Sequence, residues 1–163
     1  MKHIKLFEEF TAKSSLDEKW MKLALEQARL AQVIDEVPIG AILVLDGKLI
    51  ASAHNQPIST NDATAHAEIQ LLRKAGKQLN NYRLPNTTLY VTLEPCMMCL
   101  GAMIHARISR VIFGAYDSKT GVCGSCENLS NSDCINHSIE LHGGILEADC
   151  KSILHTFFKN RRR

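Results

Sequence analysis

No apolar run in this sequence approaches the roughly 20 residues of a membrane-spanning helix. The opening stretch, MKHIKLFEEFTAKSS, has no apolar segment of signal-peptide length. These absences lead us to expect a cytoplasmic protein with no membrane partner. Net charge is small, +2, so the total names no partner. Its distribution says more: the chain closes KNRRR, with Lys159, Arg161, Arg162 and Arg163 in the last five residues. A basic tail attracts phosphates, and equally serves as a solvated terminus. Repeats, low-complexity stretches and linkers are also missing. The 163 residues therefore read as one domain, enough to hide roughly two-thirds of its unfolded surface. Residues 1–14 read as a flexible N-terminal extension and 159–163 as a basic tail.

What is present is an ordinary soluble composition, 45% hydrophobic and 22% charged. The six cysteines stand out. Cytosolic thiols stay reduced, so they point to metal or catalysis before disulfides. Residues 16–34 are rich in helix formers, with Ser15 as expected N-cap. Residues 39–45 and 48–53 flank Asp46-Gly47, a strong hairpin signal. A helix is expected over 65–75, stopping at Gly76, then a strand near 87–93, a helix from about 96 to 106 and a strand at 110–115. After an irregular stretch, 116–138, a short strand at 139–142 and a closing helix over 147–159 complete the order. Alternating strands and helices need crossovers. The expected fold class is α/β: a three-layer sandwich around a mixed, about five-stranded sheet, its antiparallel part being the leading hairpin.

The chemistry gathers where strands end. Cys96 and Cys99 stand three apart at a helix start, so both sulfurs lie on one face. The helix N-terminus favours thiolate, the metal-binding form. His66 opens another predicted helix. One His and two Cys make three zinc ligands and leave a fourth position open, as in catalytic sites. Glu68 lies two residues on, a spacing that does not share a face in a regular helix. His66 is therefore expected in the fraying first turn, with Glu68 reaching in as the proton carrier that a hydrolytic deamination needs.

His66-Ala67-Glu68 with Pro95-Cys96-Met97-Met98-Cys99 matches the H-x-E…P-C-x-x-C signature of zinc nucleobase deaminases. Further stretches, EVPIGAILV at 36–44, HNQPI at 54–58, NYRL at 81–84, TLYVTLEPCMMCLGAMIHARI at 88–108, GAYDSKTG at 114–121 and FFKNRR at 157–162, widen the likeness. Over nearly its whole length the chain resembles the bacterial tRNA-specific adenosine deaminases. The resemblance implies a cytidine-deaminase-like fold, a homodimer, one Zn2+ per subunit, and conversion of adenosine to inosine at the wobble position of a tRNA anticodon. It implies His66, Cys96 and Cys99 as metal ligands, Glu68 as proton shuttle, Asn55 on the flipped base and Asp117 on the neighbouring nucleotide. Lys119, Asn136, His137, Phe157 and Arg162 are the further candidates for the surface that meets the anticodon stem-loop. Cys126 and Tyr116 depart from the family pattern, both in the 116–138 stretch.

Two alternatives stay open. Cys123 and Cys126 form a second C-x-x-C and, with the first, could close a structural zinc site of an RNA-binding module. The spacer, residues 100–122, is 23 long, beyond the usual 15–20 or so. The other alternative is a deaminase of free bases or nucleosides, which the zinc motif alone does not exclude.

Overall fold

The computed structural model describes the backbone over residues 2–162 and the side chains over residues 14–162. Five strands form one sheet: β1 (Gly40–Leu45), β2 (Lys48–His54), β3 (Thr87–Leu93), β4 (Arg110–Ala115) and β5 (Glu140–Gly143). Their spatial order is β2-β1-β3-β4-β5. β1 is antiparallel to both its neighbours, while β3, β4 and β5 are mutually parallel. The antiparallel part is thus wider than the leading hairpin. That hairpin turns through Asp46 and Gly47, both at positive φ (50° and 69°), the two-residue geometry that matches strand twist.

Among the described residues, five α-helices accompany the sheet: α1 (Lys2–Val33), α2 (Pro57–Thr60), α3 (Ala67–Leu79), α4 (Met97–His105) and α5 (Glu147–Arg161). The period-two alternation of the strands sorts them into two layers. Leu43, Leu89, Val91, Val111 and Phe113 pack with Leu71, Ala75, Leu100 and Met103 of α3 and α4. The residues between them, Ile42, Val44, Tyr90 and Ile112, pack with Met21, Ala24 and Leu25 of α1 and Cys150 of α5. The result is the expected three-layer mixed α/β sandwich. Backbones approach closely where α1 crosses Gly40, since a Cβ there would collide with the Ala24 carbonyl and the Ala28 nitrogen.

Two helix boundaries differ from expectation. Ser15 lies inside α1, not at its cap, because the sequence before it has no glycine or proline to stop a helix. The flexibility expected of residues 1–14 concerns side chains almost all outside the described set. α3 runs past Gly76 to Leu79 and ends at Asn80, whose φ of 50° lets its N–H reach back to the Gly76 carbonyl. Asparagine here does what glycine was expected to do. Buried between the α1 layer and the sheet, Asp17 accepts from the Tyr90 hydroxyl (2.7 Å) and from both terminal nitrogens of Arg110 (2.9 and 2.7 Å). Among the described residues, no helix is long and apolar enough to cross a membrane.

Candidate active site

β2, β3 and β4 point the same way, so their C-terminal ends share one edge of the sheet. Ligand sites of open α/β sheets form at such edges. Here the edge collects Asn55 after β2, Cys96 after β3 and Asp117 after β4, and His66 arrives on the loop into α3. Together with Glu68 and Pro57 they line one cavity of about 250 Å³. That is small beside the roughly 300–1,000 Å³ of drug-sized pockets, and suits one flat aromatic base. A larger concavity of about 890 Å³ between α3 and α4, with Leu72, Tyr82 and His105 on its walls, contains none of these groups.

His66 is the N-cap of α3, with extended backbone (φ −63°, ψ 153°). It therefore stands outside the helix proper, which removes the spacing problem: Glu68 belongs to the first turn and His66 does not. Cys96 is likewise the extended N-cap of α4 (φ −81°, ψ 172°), one residue after Pro95, and Cys99 lies in the turn that follows. His66 Nδ1 sits 3.7 Å from Cys96 Sγ and 3.6 Å from Cys99 Sγ. Zn–N near 2.0–2.1 Å and Zn–S near 2.3 Å place the N–S edge of a tetrahedron at roughly 3.6 Å, so both nitrogen–sulfur spacings match that geometry. Among the described residues, these three are the one group of three or more His, Cys, Asp and Glu side chains able to hold a metal ion. Cys123 and Cys126 do not join them; the first is buried and the second exposed.

The electrostatics match a cation site. Hydrogen bonds from Cys99 and then His66 drop the Cys96 thiol to about 4, against its burial. Cys99, which gives the proton to Cys96 and is itself buried, is pushed up. A bound metal ion deprotonates a coordinating thiol outright. Burial, the largest influence, raises Glu68 to about 7. Its carboxyl is therefore poised to take and give a proton near neutrality.

Asn55 is buried, and its Oδ1 accepts from the Ala67 N–H at 2.8 Å. The acceptor thus caps α3, leaving the Nδ2 donor for a ligand. The Asp117 carboxylate is bound within its own turn by Lys119 N–H, Thr120 N–H and the Thr120 hydroxyl. Burial works to raise it, but the bonds from Thr120 and Lys119 outweigh that and hold it below the usual carboxylate range. Lys119 and Arg162 meet at a neighbouring groove with His155, Phe158 and Lys159. Phe157, expected at the RNA surface, is only 5% exposed and lies beneath the Arg161 guanidinium; its neighbour Phe158 is the exposed ring, because a helix turns successive residues about 100° apart. Asn136 and His137 lie away from the cavity. Asn136 accepts from Arg107, and His137 Nε2 donates to the Ile108 carbonyl, at the opposite end of β4. The sequence reading passed over Glu94, which is buried at the cavity wall; its partners are 23 to 31 residues away, so no local spacing marks it.

Residues 16–162 match the family model described as MafB19-like deaminase. The chain is 48% identical to the tRNA-specific adenosine deaminase of Haemophilus influenzae, over 92% of this chain and 87% of that one. A solved structure from studies of A-to-I editing by tRNA:A34 deaminases at the wobble position of transfer RNA superposes with TM-score 0.79 and 47% identity, covering 83% of this chain and 99% of that one. The guanine deaminase of Nitrosomonas europaea, at 24% identity and TM-score 0.74 over 86% of this chain and 83% of that one, shares the fold. Taken with the gathered His, Cys and Glu side chains, these likenesses show that the chain is an enzyme and belongs to the tRNA-specific adenosine deaminase family.

Proposed function

We propose that this chain hydrolyses adenosine to inosine, with release of ammonia, at the wobble position of a tRNA anticodon. One observation carries the reading: a buried carboxyl, Glu68, beside a three-donor cluster at the foot of a ring-sized cavity. The proposed ion is Zn2+, one per subunit, on His66, Cys96 and Cys99; when bound it supplies the Lewis acidity that makes hydroxide available near neutral pH. Glu68 takes one proton from the attacking water and passes it to the ring nitrogen beside the aminated carbon; it then takes the second proton, from the hydroxyl now attached to that carbon, and delivers it to the departing amine, which leaves as ammonia as the carbonyl forms. Asn55 orients the base through Nδ2, which suits an acceptor atom on a purine. The substrate base is reached by extrusion, least costly from an unpaired loop such as an anticodon. Lys119, Arg162 and the exposed Phe158 line the neighbouring groove, the surface assigned in this proposal to the rest of that loop. A cytoplasmic location and the homodimer implied by the family belong to the same proposal.

The test is inosine formation in an anticodon stem-loop carrying a wobble adenosine, beside free adenosine, guanine and cytosine. Wild type should convert the stem-loop. Glu68→Ala should keep its metal and lose at least about a hundredfold in rate. Turnover of guanine with the RNA untouched would replace this reading by a free-base deaminase.

A further inference from the structure

Glu94 fills the position between the end of β3 and the Pro95-Cys96 turn, and it is 2% exposed. The proton transfers above do not involve it, yet both its oxygens are fully engaged by one loop. Oε1 accepts from the backbone N–H groups of Cys123 and Ser125, each at 3.0 Å. Oε2 accepts from the Asp117 N–H at 2.9 Å and from the Ser125 hydroxyl. A further bond joins the same two segments, from Val122 N–H to the Pro95 carbonyl at 3.1 Å. Gly121 completes the fit: a Cβ there would run into the Glu94 carboxylate and stand 2.5 Å from the Asp117 carbonyl oxygen. An ionised carboxylate takes four donors; a carboxamide does not.

What Glu94 joins is more telling than how firmly. One segment carries Cys96, the other begins at Asp117 and includes Thr120, and all three line the same cavity as Glu94 itself. We infer that Glu94 is a positioning residue for the substrate. It locks the 117–125 loop to the metal-binding turn, so that the wall which meets the RNA keeps a fixed distance from the reacting base. It acts through the loop and touches neither the ion nor the bond that breaks. The inference deepens the proposed function and rests on it.

In Glu94→Gln, the NH2 group set at Oε1 would face two backbone N–H donors. Set at Oε2, it can be accepted by the rotated Ser125 hydroxyl, which leaves only the Asp117 N–H without a partner. The damage is thereby directed at Asp117. The expected result is a KM for the anticodon stem-loop raised about tenfold, with kcat changed by less than about threefold. Metal content should be unchanged, and amide hydrogen exchange should quicken over 117–125 but not in α4. Gly121→Ala, which pushes the loop off an intact carboxylate, should show the same split and carries the test alone if Glu94→Gln does not fold. A fall in kcat at unchanged KM, loss of metal in either variant, or wild-type kinetics in both would overturn the inference. If wild type itself makes no inosine, the proposed function is what has failed. Exchange over 117–125 in Glu94→Gln then still decides whether this carboxylate holds the loop, and unchanged exchange overturns the inference.

Discussion

Burial, with Glu94 beside one thiol and Asp149 beside the other, pushes Cys123 and Cys150 up to about 12. Only a thiolate alkylates readily, and Cys126 and Cys134 are the exposed thiols. Iodoacetamide on the folded protein at about pH 8 should therefore label Cys126 and Cys134 and spare Cys123 and Cys150, as peptide mass spectrometry would show. The same shift fixes a sign. An unfolded thiol ionises near 8.5, well before the folded Cys150. Stability is therefore intact below about pH 8.5 and falls as pH rises toward about 12, by at most about 1.4 kcal/mol per pH unit for this group. Urea midpoints followed across that alkaline window should decline less steeply in Cys150→Ala; an identical slope would mean that Cys150 ionises as easily folded as unfolded.

The elements are held together by a few long-range polar contacts as well as by apolar packing. Asp17 on α1 takes Tyr90 from β3 and Arg110 from β4, and its side chain and that of Arg110 are 6% and 14% exposed. Removing Asp17 leaves the largely buried Arg110 with the exposed Glu140 carboxylate, 3.4 Å from its Nε, as its remaining counter-charge. Asp17→Ala is therefore expected to cost about 3 kcal/mol in denaturant unfolding, the low end for breaking a buried pair, whereas Tyr90→Phe, which leaves the ion pair, should cost about 1 kcal/mol. None of this was visible in the order of residues, because Asp17 lies 73 and 93 positions from its partners. What was visible is local. Asp46-Gly47 announced its hairpin, the apolar runs over 87–93 and 110–115 became strands with the observed bounds, and the two halves of the metal signature lay at helix starts. The miscast ends have local causes too. Gly76 has no positive φ and is carried through by α3, while Asn80 two residues before Tyr82 adopts the left-handed turn. At the site, His66 and Cys96 were legible because each follows a loop or strand at a helix start, and Cys99 because it stands three residues on, on the same face. Glu94 was not, since a lone acid beside a proline says nothing until the loop that binds it has folded back.

Across the whole molecule, charge is distributed where the total conceals it. Lys119, Lys159 and Arg162 with His155 and Phe158 border a groove of about 760 Å³, next to the cavity through Lys119's neighbour Thr120. Binding of the stem-loop should weaken with salt, as phosphate contacts release counterions. Arg162→Ala should reduce the slope of log K against log salt by about 0.7–0.9 if it meets one phosphate. Fluorescence anisotropy over a salt series measures this, and a variant with an unchanged slope would place Arg162 off the RNA. The donors of the candidate metal site, meanwhile, come from positions 30 and 33 residues apart in the chain, at the starts of two helices whose only covalent route to one another passes through the exposed 80–83 connection and β3. An ion clasped by both ends turns that stretch into a closed ring, and a chelator cuts the clasp. Trypsin should then reach Arg83 sooner, so that the ease of nicking at a distant bend becomes a gauge of how well the ring is fastened.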